Sequence, residues 1–424
     1  MNFKECMDFI GSYSRLGAKV TDLSRANELM ERIGNPQNDL KFLHIAGTNG
    51  KGSTLEYISK ALELSGYKTG KFTSPFVTHY TDRIRINDRE IDEKSLSEIC
   101  GFVAEHVAER KYSQFEISMA IAFLWFSREK CDIVVLETGI GGLLDSTNVI
   151  PPPLVSVITS ISLDHTAILG DTIEKIAEQK AGIIKNGSTV VLSMDNSKST
   201  ADIIRRTALE RKCELIIPDY RDFKYQAMEI TGNSFIYKGE WFKTAMLGFH
   251  QPCNAVTAIE VCRCLRKKYF WVTEEAIRRS IETVKVKGRI QYIPENPPVI
   301  VDGGHNPAGI ASLCRVLDDF KLQGKKIITV MGMVDSKDYK SGVEKISALS
   351  EKIFLVDDFA DNAVPAEKLA EIASEYTFAE PCSSLKTAVS TAKMVALECS
   401  GIVVISGSLY LASDYLNQFG NSSK

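Results

Sequence analysis

The stretch GTNGKGST, residues 47–54, decides the fold of this chain. An apolar run, KFLHIA (41–46), precedes it, and STLEYISKALELSGY (53–67) follows with apolar residues on one helical face. Strand, glycine-rich turn and helix form the α/β phosphate-binding unit, in which backbone N–H groups and the positive end of the helix face a phosphate. The pattern therefore predicts an α/β fold with a phosphate site at the start of the helix.

This turn departs from the generic P-loop, GxxxxGK[ST], at two positions. Ile45 stands at the first glycine position, and Gly52 replaces the hydroxyl residue after Lys51. The hydroxyls of Ser53 and Thr54 come one and two residues later, so magnesium binding must depend on other groups as well. The alternative interpretation is a glycine-rich turn that binds no nucleotide.

Further apolar runs predict a largely parallel sheet. DIVVLE (132–137), LVSVIT (154–159) and STVVLS (188–193) do not alternate with polar residues, which indicates strands covered on both faces. Residues 225–247 alternate more and carry turn signals, so they predict a small antiparallel element.

A polar, proline-containing stretch at 282–298 predicts a domain boundary. After it come four more apolar runs: PVIVD, KKIITVMG, EKIFLVD and GIVVIS. We therefore expect an N-terminal P-loop domain at residues 1–286 and a smaller, Rossmann-like α/β domain at residues 287–424. Two domains also suit a chain of 424 residues, because single cores rarely exceed about 300 residues.

Composition excludes several classes of protein. With 51 basic and 54 acidic residues the formal net charge is −3, which argues against a nucleic-acid partner or a membrane surface. The sequence shows no signal-peptide pattern and no apolar run of membrane-spanning length. Its ten cysteines form no CxxC pair, so we expect reduced thiols and a cytoplasmic protein.

Several motifs recur in order along nearly the whole chain. They are AGTNGKGS, FTSPF (72–76) with DRIRIN (82–87), ETGIGG with LDSTN (137–148), SLDHTAILGDTIEKIAEQKAGIIK (162–185), GFHQPCNAVTA (248–258), DGGHNPAG (302–309) and SGSLYL (406–411). Together they resemble the Mur ligase superfamily, in the variant used by folylpolyglutamate and dihydrofolate synthases. The chain departs from this pattern at Asp82, usually glutamate, at Gly304, often alanine, and at Lys287, often proline.

The resemblance implies a nucleotide site that draws on both predicted domains. Its residues would be Asn49, Gly50, Lys51, Gly52, Ser53, Asn254, Arg289 and Asp302. Lys51 and Arg289 would neutralise the phosphate charge during transfer, Arg289 with a planar fork that matches phosphate oxygens. For Asp302, which ends the run PVIVD, the alternative is an N-cap for the helix that begins at Pro307.

The same resemblance implies Ser74, Glu137 and His165 as magnesium ligands, with His165 also catalytic. Glu137 ends an apolar run and His165 follows another, and ligands gather at the carboxyl ends of strands in open α/β sheets. Alternatives remain for each residue. Glu137 fits a carboxylate that pins a loop, His165 a structural histidine, and Ser74 a turn residue before proline.

On the substrate side, the resemblance implies His305, Ser406 and Ser408 as groups near glutamate. Phe72, Thr73 and Phe76, with Tyr80, are candidates for a pterin site, although each aromatic ring alone is more often a packing residue. Lys180 is the remaining candidate. Taken alone it reads as a solvated lysine on a charged helix, but the matching lysine in Mur-type ligases is often carbamylated, which requires a neutral amine of depressed pKa.

These implications converge on an ATP- and Mg²⁺-dependent ligase that joins L-glutamate to folate or dihydropteroate through an acyl phosphate. We expect it to act as a monomer, with no nucleic-acid or membrane partner. A peptidoglycan Mur ligase is one alternative, which the TSPF, LDSTN and DGGHNP segments disfavour. A nucleotide-binding module without ligase activity is the other.

Overall fold

The computed structural model describes residues 1–14, 22–107, 112–268 and 270–420. Contacts divide the chain into two compact units, Met1–Phe223 with Cys253–Glu282, and Lys224–Pro252 with Thr283–Lys424. This division groups the segment 224–252 with the C-terminal residues, whereas the sequence-based boundary groups it with the N-terminal domain. The domain bounds at 1–286 and 287–424 stay a prediction.

The secondary structure alternates between helices and strands along most of the chain. The α-helices are α1 (Phe3–Gly11), α2 (Ser24–Arg32), α3 (Lys51–Leu64), α4 (Glu93–His106), α5 (Gln114–Arg128), α6 (Thr166–Leu169), α7 (Ile173–Ala181), α8 (Lys198–Glu210), α9 (Gln251–Leu265), α10 (Glu274–Thr283), α11 (Pro307–Leu322), α12 (Tyr339–Ser347), α13 (Ala366–Ser374), α14 (Leu385–Glu398) and α15 (Leu409–Phe419). The strands are β1 (Phe42–Ala46), β2 (Thr69–Phe72), β3 (Ile84–Ile86), β4 (Arg89–Glu90), β5 (Ile133–Glu137), β6 (Val155–Ile158), β7 (Thr189–Leu192), β8 (Glu214–Ile216), β9 (Phe223–Glu229), β10 (Gly232–Tyr237), β11 (Glu240–Thr244), β12 (Gln291–Ile293), β13 (Val299–Val301), β14 (Ile327–Met331), β15 (Lys352–Leu355), β16 (Phe378–Pro381) and β17 (Ile402–Ser406).

The first unit is built on an eight-stranded sheet with the order β4-β3-β2-β5-β1-β6-β7-β8. Strands β2, β5, β1, β6, β7 and β8 run parallel, and β3 and β4 add an antiparallel edge. Every residue of β1, β5, β6 and β7 is buried, which confirms the prediction that both faces are covered. Because these strands are parallel, the turns that follow β1, β5 and β6 lie at one edge of the sheet.

Helix α5 supplies much of the core of this unit. A Ser113–Glu116 capping box begins the helix, and all of its residues from Glu116 to Phe126 are buried. Phe123 packs edge-on against Phe42 of β1, with ring centroids 5.4 Å apart. The helix thus holds the central strand of the sheet from one side.

The second unit contains a six-stranded sheet with the order β12-β13-β17-β14-β15-β16. All neighbours in it are parallel except β12 and β13. Residues 223–244 form a separate three-stranded sheet, β11-β10-β9, in which β10 and β11 are antiparallel. The small antiparallel element and the second α/β series are therefore confirmed.

Strand β2 is the main element that the sequence pattern missed. It contains Gly70 and Lys71, which are unusual in a buried strand, yet all four of its residues are buried. Lys71 is buried because Glu56 and Asp88 accept hydrogen bonds from its amine at 3.1 and 2.9 Å.

In the part of the chain that the structure describes, no helix is long and apolar enough to cross a membrane.

We expect Phe123→Ala to lower the free energy of unfolding of the first unit by about 3–5 kcal/mol, the usual range for a buried phenylalanine. The substitution removes a fully buried ring and leaves a cavity under β1. Leu209→Ala on α8 is the control, since Leu209 is 79% exposed and should change the stability by less than about 0.5 kcal/mol. Urea denaturation measures both variants, and equal effects would contradict the assigned core.

Candidate active site

The turn between β1 and α3 has the backbone geometry of a phosphate-binding loop. Gly50 precedes α3 with φ 84° and ψ −9°, a left-handed conformation that favours glycine. Gly47 has no room for a side chain, because a Cβ there would lie 1.8 Å from the Thr159 hydroxyl oxygen. The backbone conformation at Gly50 and the lack of space at Gly47 both require glycine. This supports the prediction of a glycine-rich phosphate-binding turn.

The residues that follow β6 hold this loop in shape. Thr48 N–H donates to the Ser160 carbonyl at 2.8 Å, and the Thr159 hydroxyl donates to the Asn49 carbonyl at 2.7 Å. The Thr48 hydroxyl donates to the Ser162 carbonyl at 3.0 Å and accepts from Ser162 N–H at 3.1 Å. These bonds tie the loop to a neighbouring strand end, so the loop conformation is set before any ligand arrives.

Asn254, at the start of α9, lies directly against the loop. Its side chain is buried, and its Oδ1 atom would be 2.3 Å from a Cβ placed on Gly50. A substitution at Gly50 would therefore meet both backbone strain and Asn254. The structure thus brings together the loop and Asn254, two of the regions assigned to the nucleotide.

Glu137, at the end of β5, links the loop to the segment after β2. Its Oε1 lies 3.7 Å from the Lys51 amine, and its Oε2 accepts from Ser74 N–H at 3.3 Å. Only 6% of the Glu137 side chain is exposed, so the charge of Lys51 offsets a nearly buried carboxylate. Glu137 therefore fixes the backbone at Ser74, as the loop-pinning interpretation expects. The same carboxylate can also act as a metal ligand.

Lys180 is a lysine buried against the phosphate-binding loop of the first unit. Its side chain is 3% exposed, and its amine donates to the Gly47 carbonyl at 2.6 Å. The interpretation of a solvated lysine is therefore wrong, because α7 turns Lys180 toward the loop. Burial, and next the charge of Lys51, lower the pKa of Lys180 to about 7, while Asp164 and Asp145 oppose the shift.

The three residues assigned to magnesium are placed differently. Ser74 and Glu137 are in contact, as described above, and offer oxygen donors that suit a hard cation. His165 is exposed at the N-terminus of α6, with φ 49°, and its backbone N–H bonds to the Asp164 side chain at 2.8 Å. Among the described residues no cluster of three or more His, Cys, Asp or Glu side chains forms a ready metal site.

The segment from Phe72 to Arg83 forms a closed aromatic loop, called the 72–83 loop below. Its two ends are joined by Thr73 N–H, which donates to the Arg83 carbonyl at 3.0 Å. Asp82 accepts from Val77 N–H at 3.0 Å and from Thr78 N–H at 2.7 Å. The aspartate that replaces the usual glutamate thus still closes the turn.

The aromatic residues of this loop are not equivalent. Phe72 is fully buried and packs against Phe115 at 5.6 Å, as a core residue does. Phe76 is 41% exposed and lies 6.3 Å from Tyr80. Phe76 therefore has the access that a substrate contact requires, and the substrate roles of Phe72, Thr73 and Phe76 stay predictions.

In the second unit, Asp302 is the centre of a small polar cluster. Its carboxylate follows β13 and accepts from Ile290 N–H at 3.0 Å and Gly304 N–H at 3.1 Å. Burial raises the pKa of Asp302, and the charge of Arg289 opposes that change. The alternative of a helix cap is wrong, because Asn306 caps α11 by accepting from Gly309 N–H at 2.8 Å.

Arg289 also acts on a histidine that the sequence reasoning did not select. Burial, and next the charge of Arg289, lower the pKa of His250 to about 4. The Nδ1 atom of His250 is buried without a hydrogen-bond partner among the described residues. His250 is therefore neutral at pH 7 and does not add positive charge beside Arg289.

The remaining candidates of the second unit lie after β13 and at the end of β17. The His305 ring bonds through Nδ1 to the Gly303 carbonyl at 3.0 Å. Ser406 is fully buried, and its hydroxyl has no hydrogen-bond partner in the described part of the chain. Ser408 caps α15 by accepting from Tyr410 N–H at 3.2 Å. Because β13 and β17 are parallel neighbours, their carboxyl ends lie at the same edge of the sheet, where β17 ends at Ser406 and His305 follows β13.

Sequence reasoning missed residues that act through other residues. Asp145 accepts from Ile140 N–H at 2.8 Å and Thr147 N–H at 3.0 Å, and burial raises its pKa. Thr159 and Ser160 hold the phosphate loop, as described above. A signal for them was present in the sequence, since each lies within one or two residues of a strand end or inside a matched motif. Arg83 also stands in the DRIRIN motif but was not singled out.

Comparisons with known proteins agree over the full chain. The Mur ligase middle domain matches residues 45–262, and the Mur ligase glutamate ligase domain matches residues 288–409. The dihydrofolate synthase/folylpolyglutamate synthase of Bacillus subtilis is 32% identical over 97% of this chain and 98% of its own length. The folylpolyglutamate synthase of Lacticaseibacillus casei is 32% identical over 97% of each chain. A solved folylpolyglutamate synthase complex with AMPPCP and folate is 29% identical, with a TM-score of 0.84 and 99% of each chain covered.

The depressed pKa of Lys180 gives a stability prediction. Above about pH 7 the folded state holds a neutral amine, whereas the unfolded state keeps its proton until its ordinary value of 10.5. The unfolded state thus binds more protons in this window, so the contribution of Lys180 to stability rises with pH. The stability of Lys180→Met relative to the wild type should be highest at pH 6–7 and fall steadily toward pH 9.

Urea denaturation in carbon-dioxide-free buffers at four pH values measures this effect. Lys175→Met on the same helix is the matched control, because Lys175 is 60% exposed and stays charged across the range. Its stability difference from the wild type should not change with pH. Parallel curves for Lys180→Met and the wild type would contradict a depressed pKa at Lys180.

Proposed function

The chain belongs to the folylpolyglutamate and dihydrofolate synthase branch of the Mur ligase family, whose members are ATP-dependent glutamate ligases, and we propose that its own acceptor is folate or dihydropteroate. One observation supports the phosphoryl-transfer step of this proposal most directly. A glycine-rich loop, a lysine, a buried carboxylate and a buried lysine of low pKa meet at one edge of the first sheet. This is the arrangement that phosphoryl transfer to a carboxylate needs.

The first step is attack of the acceptor carboxylate on the γ-phosphate of ATP. An acyl phosphate forms and ADP leaves. The N–H groups of the loop and the Lys51 amine hold the phosphates, because both are fixed by the bonds described above. Arg289 is proposed to neutralise the transferring phosphoryl group, and Asn254 and Asp302 to hold the nucleotide. Most of the catalysis is then positioning and charge neutralisation.

The second step is attack of glutamate on the activated carbonyl. The α-amine attacks in its neutral form, a tetrahedral intermediate forms, and inorganic phosphate leaves as the amide is made. His305 and Ser406 are proposed to contact glutamate. The buried Ser406 hydroxyl suits this role, since it has an unused donor and acceptor in the described part of the chain.

Magnesium fits the residues present on the side of Ser74 and Glu137. Glu137 accepts from Ser74 N–H and lies 3.7 Å from the Lys51 amine, and a buried carboxylate is a strong partner for a hard cation. His165 is proposed as a further ligand. Magnesium supplies neutralisation of phosphate charge when it is bound. We also propose a monomer in the cytoplasm, which suits ten cysteines that are all free thiols.

Lys51→Ala should abolish the release of ADP that depends on both glutamate and acceptor. The substitution removes the cation beside the phosphates, a loss on the scale of at least 10²-fold in kcat. The control is Lys60→Ala on the same helix. Lys60 is likewise paired with an acid, Asp88 at 2.6 Å, but lies about two and a half helical turns after Lys51 on α3 and should keep normal turnover.

Coupled ADP-release assays and thermal melting of both variants provide the measurement. Normal turnover of Lys51→Ala would exclude the proposed nucleotide site. ADP release by the wild type that does not respond to glutamate and folate would indicate a nucleotide-binding protein with another activity.

Lys180 is proposed to work as a carbamate. Its pKa of about 7 leaves a large neutral fraction to react with carbon dioxide, and the product reverses the charge beside the phosphates. Lys180→Ala should be nearly inactive, and acetate or another short carboxylic acid should restore part of the activity. Removal of carbon dioxide should slow the wild type reversibly. Lys180→Arg cannot form a carbamate, so substantial activity in that variant would refute this role.

A further inference from the structure

Arg83 is a buried cation inside the 72–83 loop. It lies at the end of the short turn before β3, and only 8% of the residue is exposed. Its guanidinium carbon is 5.9 Å from the ring centroid of Phe72, 5.4 Å from that of Phe76 and 5.6 Å from that of Tyr80. The three aromatic rings assigned to the substrate thus surround one guanidinium group.

The hydrogen bonds of this guanidinium leave one edge unused. Nη1 donates to the Ser118 hydroxyl at 3.2 Å, and the Tyr80 hydroxyl donates to the same oxygen at 3.0 Å. Ser118 in turn donates to the Gln114 carbonyl at 2.6 Å within α5. Nε of Arg83 is buried and has no hydrogen-bond partner, and Arg83 forms no ion pair within the described part of the chain.

A buried donor without a partner is costly, and a buried cation without a counterion is more so. The surrounding rings offset only part of this cost, because cation–π contacts are weaker than the hydration that a buried guanidinium group loses. The charges of Asp82 and Glu137 favour the charged form of Arg83, but neither carboxylate forms an ion pair with it within the described part of the chain, and both have other partners. Asp82 accepts from the loop backbone, and Glu137 contacts Lys51 and Ser74. The free edge of Arg83 therefore suits an anion that comes from outside the chain.

The surroundings of Arg83 indicate which anion binds to its free edge. Its charge interacts with that of Glu137, which lies 3.7 Å from the loop lysine Lys51. An acceptor carboxylate that approaches this region meets the negative charge of Glu137, and it needs a cation to stay there. Planar guanidinium groups bind carboxylates with two parallel hydrogen bonds. Phe76 is partly exposed, so an aromatic acceptor can enter the 72–83 loop from the side on which this ring lies.

We propose that Arg83 binds the carboxylate of the acceptor substrate, the same group that is to be phosphorylated, with its unused Nε edge. The Phe76 and Tyr80 rings then contact the aromatic part of that molecule. This inference rests on the proposed function. The bond from Nη1 to Ser118 does not use Nε, so that donor stays available to the carboxylate.

The test compares binding of pteroic acid, which has one carboxylate, with binding of its primary carboxamide. Calorimetry is done with intact protein in the presence of AMPPCP and magnesium. The wild type should bind the acid at least tenfold more tightly than the amide, as expected for a hydrogen-bonded charge pair. Arg83→Met should bind both molecules with equal affinity, at the level of the wild type with the amide. Arg83→Lys should keep part of the preference.

Three controls separate this role from a structural one. AMPPCP affinity and melting temperature report whether Arg83→Met is folded. Arg89→Met removes an exposed arginine nearby and should keep the full preference for the acid. Ser118→Ala breaks the bond to α5 but retains the charge, so its preference for the acid should survive.

The outcomes are distinct. If Arg83→Met still prefers the acid, or loses affinity for acid and amide equally, Arg83 does not bind the carboxylate. If Ser118→Ala matches Arg83→Met, the residue only fastens the loop to α5, and the proposal is overturned. If the wild type binds AMPPCP but none of pteroic acid, its amide and folate, the acceptor assigned under the proposed function is wrong.

Discussion

The parallel pairing of β1 with β5 on one side and β6 on the other underlies the arrangement of the first unit. Ile45 is in register with both Glu137 and Val157, so the three strands end within a residue or two of each other. The phosphate loop, Glu137 and the Thr159–Ser160 pair must then lie at one edge of the sheet. All the contacts that shape the loop follow from this register, including the bonds from Thr48 and Thr159.

Helix α7 adds a second constraint, because it places a buried amine under the loop. A buried cation is unfavourable unless it is paired or neutral, and among the described residues the hydrogen-bond partner of the Lys180 amine is a backbone carbonyl, that of Gly47. The protein accommodates this through a low pKa, and the same property makes Lys180 chemically reactive. Arg83 shows the related case of a guanidinium group, which cannot lose its proton and therefore retains an unsatisfied donor. Both residues are costly to bury, and their proposed roles differ: Lys180 reacts as a neutral amine, whereas Arg83 binds an anion.

Much of the fold followed from patterns of apolar residues. The runs at 41–46, 132–137, 154–159 and 188–193 became β1, β5, β6 and β7, because a strand covered on both faces is apolar at most positions. Strand β2 did not follow from the pattern, since its buried Lys71 depends on carboxylates at Glu56 and Asp88, which are distant in sequence. The burial of β2 beside β5 therefore depends on charge pairs that form only in the folded protein.

The sequence by itself determined the α/β class, the phosphate loop and the list of motif residues, because glycine positions and apolar runs act over a few residues. The tertiary structure decided which of those residues are buried and what they face. Lys180 taken alone indicates a surface lysine, but in the structure its amine bonds to the Gly47 carbonyl, and the alternative that Asp302 caps α11 is excluded because Asn306 takes that role. Arg83 was not singled out from the sequence, and only the structure shows that three rings and Ser118 surround it. Burial and electrostatic environment depend on residues far apart in the chain, so only the folded arrangement determines them.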